Sequence, residues 1–179
     1  MKSVLISIQP KWCELIASGE KTLEVRKTKP KLEVPFKCYM YCTKSPKGWF
    51  WLNSPNIRRD GVVVGEFICD GIRTITASEF IILDDALNAI NGSCISPREA
   101  RSYAGWKQGT HIFSFKDIYG WHISNLVIYE NPKKLSDFKK CNRTCYYGHL
   151  GLAVPKCKDC KECQVDRPPQ SWCYVETLE

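Results

Sequence analysis

The first 26 residues change hydrophobic period twice, which constrains the fold more than any other feature of the chain. Ser3 to Ile8 is a run of β-branched and apolar residues and reads as a buried strand. Gln9-Pro10 breaks that run. Pro10 suits the first turn of a helix, Trp12, Leu15 and Ile16 give an i, i+3, i+4 apolar face, and Gly19 stands where the helix would end. From Thr22 to Arg26 the period returns to two, with Leu23 and Val25 on one face and Thr22, Glu24 and Arg26 on the other.

The same traffic of strand and helix continues downstream. Phe36 to Cys42, Gly61 to Cys69 with Glu66 embedded in it, His111 to Lys116, Trp121 to Tyr129 and Ser171 to Glu176 read as strands. Ser78 to Ile90 is a weakly amphipathic helix, and Ser96-Pro97-Arg98-Glu99 is a capping box opening a helix that ends near Gly105. Lys44 to Asp60 reads as a long loop. Short strands with helices between them predict an α+β domain with a closed or nearly closed sheet. With no Gly/Ser linker, residues 1–179 read as one domain. No apolar stretch approaches a membrane span and the N-terminus lacks the layout of a signal peptide, so a soluble, cytoplasmic protein is expected.

In such a compartment, 11 cysteines argue for metal binding before disulfides. Five of them fall in residues 141–165, an inserted stretch with little periodicity: Cys141-x3-Cys145, then Cys157-x2-Cys160-x2-Cys163. The close pairs let two sulfurs grip one tetrahedral metal, and four of these thiols, with His149 as a substitute, suit a structural zinc. An iron–sulfur cluster is disfavoured because Arg167 stands where a fourth ligand would follow. Cys38, Cys42 and Cys69 lie on apolar strand patterns and read as small core residues. His111 and His122 lack ligand spacing and read as structural.

The formal charge of +7 favours polyanionic partners. Residues 11–47 carry nine Lys/Arg against four Glu, interleaved with Trp12, Phe36, Tyr39 and Tyr41. Single-stranded nucleic acid needs both, cations for phosphates and rings for stacking, although a solvated basic face over an aromatic core fits the same composition. Lys21, Glu24 and Arg26 sharpen the picture. Glu24 and Arg26 project from one side of a strand, and a carboxylate between two cations is a fixed acceptor that could read a base edge beside its phosphate; the plain alternative is a surface salt-bridge ladder.

Ser7-Ile8-Gln9-Pro10, Trp12, Leu15-Ile16 and the pattern G-x-K-x-x-E-x-R at Gly19, Lys21, Glu24 and Arg26 resemble the signature of the ASCH domain family. Trp121-His122-Ile123-Ser124, Leu135-Ser136-Asp137-Phe138 and Pro168-Pro169-Gln170-Ser171-Trp172 resemble segments of its bacterial and prophage members. The resemblance implies a PUA-like β-barrel with flanking helices and a basic cleft lined by Lys21, Glu24 and Arg26, acting on RNA, single-stranded DNA or a modified nucleotide. Gln9, Trp12, Ser171 and Trp172 are then candidate pocket residues; Trp172 could stack on a base, while the spacing of Trp12 to Leu15 favours a core role.

Two rival functions follow from the same residues. Some relatives resemble nucleoside amidohydrolases and others are linked to RNA cleavage, for which Lys21 and Glu66 would be the catalytic pair. In the amidohydrolase branch a threonine stands at the position of Glu24, and a glutamate there would keep Lys21 charged and poorly nucleophilic, which favours a binder. The second rival is a protein-interaction module docking through the zinc loop, whose surroundings carry eight Lys/Arg between residues 133 and 163.

Overall fold

The computed structural model describes residues 1–46, 48, 50–51, 54–106, 116–140, 145–146, 153–154 and 163–178. They gather into two compact units, each assembled from separate stretches: Met1–Cys13, Lys37–Phe67 and Val127–Glu179 in the first, Glu14–Phe36 and Ile68–Leu126 in the second. In chain order the elements to the first third are β1 (Lys2–Ile8), α1 (Pro10–Ala17), β2 (Leu23–Arg26), β3 (Phe36–Cys42), β4 (Phe50–Trp51) and β5 (Ser54–Arg58). There follow β6 (Val62–Cys69), β7 (Ile72–Ile75), α2 (Leu83–Ala89), α3 (Pro97–Ala104), β8 (Ile118–His122) and β9 (Ser124–Lys133). The chain closes with β10 (Cys145–Tyr146), β11 (Ala153–Val154) and β12 (Trp172–Glu176).

The first unit is built on a five-stranded sheet in the order β12-β1-β3-β6-β9. β1 is central and buried along nearly its whole length, as its unbroken apolar run requires. It pairs antiparallel with β12, Leu5 opposite Cys173, and parallel with β3, Leu5 opposite Tyr39. A parallel neighbour demands a crossover, which residues 9–35 provide. Leu5, Tyr39, Tyr41, Val63, Phe138, Val165 and Val175 form the core of this unit. Gly65 lets β6 and β9 approach: a Cβ there would lie 2.4 Å from the Val127 carbonyl oxygen.

The second unit is a three-stranded antiparallel sheet, β2-β8-β7, with α2 and α3. The registers place Val25, Ile75 and Ile118 on one face, where they join Phe80, Ala86, Ala89, Ile90, Ala100 and Ala104 in a core. Helix α3 starts as its capping box demands: the Glu99 backbone N–H donates to Ser96 Oγ at 3.2 Å, and the Ser96 N–H donates to the Glu99 carboxylate at 2.7 Å. It ends at Gly105, in the left-handed region at φ +104°.

Several expectations need correction. The closed barrel is not found: among the described residues β9 and β12 are the outer strands of one sheet and β2 and β7 those of the other. The chain leaves the first sheet after Ile8 and again after β6 to form the second, so its ladder hydrogen bonds are divided between two open sheets. The helix expected over residues 78–90 is a 3-10 turn, Ala77–Phe80, followed by α2, because Glu79 caps the first turn at Thr76 and the chain turns out at Ile81 and Ile82. Trp121 to Tyr129 is two strands, since β8 pairs with β2 and β7 whereas β9 pairs with β6, and the switch falls at Ile123. The loop at 44–60 contains the hairpin β4–β5, and β7 was not anticipated. Residues 111–115 of the expected strand at His111 lie outside the described residues, and Lys116 is not in a strand.

Cys38, Cys42 and Cys69 are fully buried core residues, as their strand patterns predict. Burial pushes the Cys69 thiol up to about 12. Cys94, in contrast, is exposed and its thiol donates to the Glu20 carbonyl. Because the thiolate is the reactive species, iodoacetamide at pH 8 is expected to alkylate Cys94 in the native protein and spare Cys38, Cys42 and Cys69 until denaturant is added, as read by peptide mass mapping. Native labelling of Cys69 at the rate of Cys94 would contradict the burial described.

Candidate functional site

The alternation from Thr22 to Arg26 is realised in β2, but the polar face is covered. Lys21, Glu24 and Arg26 are only 3%, 5% and 8% exposed, which rules out a solvated salt-bridge ladder. The Lys21 ammonium donates to the carbonyls of Leu23 at 2.8 Å and Ser93 at 2.6 Å, and lies 3.3 Å from Glu24 Oε2. The other Glu24 oxygen, Oε1, is 2.9 Å from Arg26 Nη2. One carboxylate thus stands between two cations, and two backbone carbonyls help to compensate the lysine for lost water.

The turn at Gly92-Ser93 makes this geometry. The Gly92 carbonyl accepts from the backbone N–H groups of Thr22 and Leu23, at 2.8 and 3.0 Å, and so docks the start of β2; the next carbonyl, Ser93, receives Lys21. Gly92 has φ +76°, and a Cβ on it would lie 2.3 Å from Thr22 Oγ1, so glycine is needed both for conformation and for space.

Across the strand pair, Glu24 lies opposite Trp121 and Arg26 opposite Tyr119, so both aromatics share the face of the ion cluster. Trp121 is fully buried and meets Phe36 edge-on at 6.0 Å. Tyr103, on α3, feels the same charges. Burial raises its pKa, Arg26 draws it down, Glu24 pushes it up and the donating Lys27 backbone N–H lowers it, leaving it above the ordinary tyrosine value. Sequence reasoning missed Gly92, Ser93 and Tyr103. The Asn91-Gly92 dipeptide signals a turn, but nothing local says that the turn receives β2.

The other expected site residues lie in the first unit. Glu66, on β6, is held by Lys37 at 2.7 Å and by the Tyr129 hydroxyl at 2.6 Å, one donor on each oxygen. Burial alone would raise its pKa, but the hydrogen bonds from Lys37 and Tyr129 together outweigh it and hold the carboxyl below its usual value; burial and Glu66 push the Tyr129 hydroxyl well up. Gln9 is exposed, and its carbonyl accepts from the N–H groups of Trp12 and Cys13 to start α1. The α1 residues that are fully buried are Cys13 and Ile16, whereas Trp12 is half-buried with the Lys11 ammonium 4.5 Å over its ring, so the core role favoured for Trp12 passes to its neighbour. The Ser171 carbonyl accepts from Ser7, and Trp172 pairs with Ile6 and packs edge-on against Tyr174 at 5.3 Å.

Of the five thiols expected to bind metal, Cys141, Cys157 and Cys160 lie outside the described residues, as does the Cys145 side chain; the Cys145 backbone pairs with Val154. Cys163 is buried in the first unit, with its carbonyl accepting from Lys140. Among the described residues no group of three metal-ligating side chains gathers. His149 and His111 are also outside them, and His122 is exposed, with Nδ1 2.5 Å from Asp70 Oδ1. No described helix is long and apolar enough to cross a membrane.

Solved structures share this architecture. Crystal structures of the ASCH protein of Zymomonas mobilis match 97–98% of this chain: two single-substitution forms with TM-scores of 0.60 and 0.59 at 14% and 17% identity, and the unsubstituted protein at 0.58 and 16%. The match covers 87–91% of those chains. No protein-family model and no curated protein matches the sequence. At this identity the likeness shows the fold alone, which is that of the ASCH structures.

The ion cluster generates a stability prediction. Replacing Glu24 by Ala would leave Lys21 and Arg26 as buried cations without their carboxylate, at a cost of about 3–5 kcal/mol. Glu20→Ala, at an exposed position, is expected to change stability by no more than about 0.5 kcal/mol. Urea unfolding followed by circular dichroism compares them, and equal midpoints would mean that the cluster is not buried as described.

Proposed function

We propose that this protein binds single-stranded nucleic acid, RNA or DNA, with a nucleotide recognised at the Lys21–Glu24–Arg26 cluster. The observation that carries this reading is the cluster itself. A buried carboxylate fixed between two cations, on a strand face shared with Trp121 and Tyr119, is costly for a fold to maintain and is preorganised to accept from a base amine beside a phosphate. Arg26 is the least buried of the three, so its guanidinium is the group that a phosphate or carbonyl oxygen would reach. The ASCH-type fold and the excess of basic residues agree with a polyanionic ligand.

Hydrolysis is the weaker reading. It asks Lys21 and Glu66 to act on one bound amide, and they belong to separate networks: Lys21 donates to the carbonyls of Leu23 and Ser93, whereas Glu66 is held by Lys37 and Tyr129. In the proposed binder Glu66 instead stiffens its sheet, and Gln9, Ser171 and Trp172 belong to the end of β1 where α1 begins.

Fluorescence anisotropy with short RNA and DNA strands at two salt concentrations tests the proposal. Wild type is expected to bind more weakly at the higher salt, and Arg26→Lys, which keeps the charge but loses the planar fork, to bind about tenfold more weakly than wild type. Absence of binding by wild type would refute the function; undiminished binding by Arg26→Lys would remove the cluster from it. We also propose a structural zinc on the thiols of residues 141–163, because their spacing is the strongest metal signal in the chain. Elemental analysis of protein purified without chelator should give one zinc per chain, lost in a Cys157→Ser/Cys160→Ser variant, and a zinc-free wild type would sink that assignment.

A further inference from the structure

The cluster is buried, so most of a strand must be gripped by something outside it. Immediately after β2 the chain emerges: Lys27, Thr28 and Lys29 are exposed, and four of the six residues from Arg26 to Lys31 are basic, with no acidic residue between Glu24 and Glu33. Both exposed lysines are placed by aromatic rings. Lys27 Nζ lies 4.9 Å from the centre of the Tyr103 ring, and Lys29 Nζ lies 5.3 Å from that of Tyr119. These rings are the neighbours of the cluster, since Tyr119 lies opposite Arg26 and the Tyr103 hydroxyl receives the Lys27 backbone N–H.

We infer that Lys27 and Lys29, with Tyr103 and Tyr119, form a strip that grips the strand next to the nucleotide recognised at the cluster. This rests on the nucleic-acid reading and adds to it the residues that contact the polymer. An ammonium resting on a ring face keeps its N–H donors turned to solvent and is weakly held at an exposed site, about 0.5–1 kcal/mol. A phosphate can therefore draw each lysine off its ring, which frees the ring face for a base to stack upon. Other lysines rest on rings too, Lys11 on Trp12 among them, but at Lys27 and Lys29 both rings border the ion cluster. Arg26, tied to Glu24, supplies a fixed charge beside the two mobile ones.

Salt dependence separates this strip from the cluster. For wild type and for Lys27→Ala/Lys29→Ala, the affinity for a fluorescent single strand is measured across a salt series; losing two phosphate contacts is expected to flatten the log–log slope by about 1.4. Both side chains are exposed, so the thermal midpoint should stay at the wild-type value and exclude misfolding as the cause. Tyr103→Leu should weaken binding about tenfold while Tyr103→Phe, which keeps the ring, binds like wild type. An unchanged slope in the double lysine variant, with wild type binding normally, would overturn the strip and leave the nucleic-acid reading standing. Equal binding of polyglutamate of matched charge would overturn the stacking role, and no binding by wild type would overturn both readings together.

Discussion

A buried ammonium must keep its acceptors, and for Lys21 these are the carbonyls of Leu23 and Ser93 with the Glu24 carboxylate. Much of the second unit follows from that requirement. Ser93 can serve only because the turn before it is held against β2, which needs the Gly92 carbonyl bonded to Thr22 and Leu23 and no side chain at Gly92. Glu24, drawn to Lys21 by one oxygen, presents the other to Arg26 and fixes the end of the strand. The alternation that buries these groups sends Val25 to the opposite face, into the core with Ile75 and Ile118. Polar cluster and apolar core are thus two sides of one four-residue strand.

The first unit treats a similar chemistry differently. Lys37, Glu66 and Tyr129 sit on β3, β6 and β9, so their hydrogen bonds run across three adjacent strands. This set is half-buried rather than sealed, and Glu66 has a partner for each oxygen. Its effect is to link strands side by side, whereas the Lys21 cluster joins a strand to a distant turn. A residue that is satisfied in this manner is better suited to holding a sheet than to moving protons.

The sequence made the alternation of β2 legible, because a period of two places Glu24 and Arg26 on one side whatever else the chain does. Whether that side meets water was not legible. Burial depends on residues such as Trp121, far along the chain, and on Ser93, 72 residues from Lys21. The capping box of α3 was readable because it is local, and the Thr76–Glu79 box carried the same signal for the turn before α2, where the apolar run from Phe80 to Leu83 suggested one continuous helix although Ile81 and Ile82 are exposed at a break. In α1 two overlapping stripes competed, Trp12 with Leu15 and Cys13 with Ile16; the larger ring drew the reading, and the small thiol won the buried position. The ASCH-type signature anticipated the fold, while closure of its sheet, a property of strands distant in sequence, could not be judged from local pattern.

The chain passes four times between the two units, after Cys13, Phe36, Phe67 and Leu126, and this imposes an order on vectorial synthesis. Every segment of the second unit has been made once Leu126 has left the ribosome, although that unit contains neither the beginning of the chain nor its last strand. The first unit begins earlier and completes later: β1 has β3 beside it from residue 42 onward, yet its other edge stays open until β12 arrives at residues 172–176. During that interval a buried, mostly apolar strand offers unpaired backbone groups to whatever strand comes near. The nascent protein is therefore most exposed to mispairing while every segment of its second unit is already made, and agents that shield sheet edges would matter to its yield more than agents that speed helix formation.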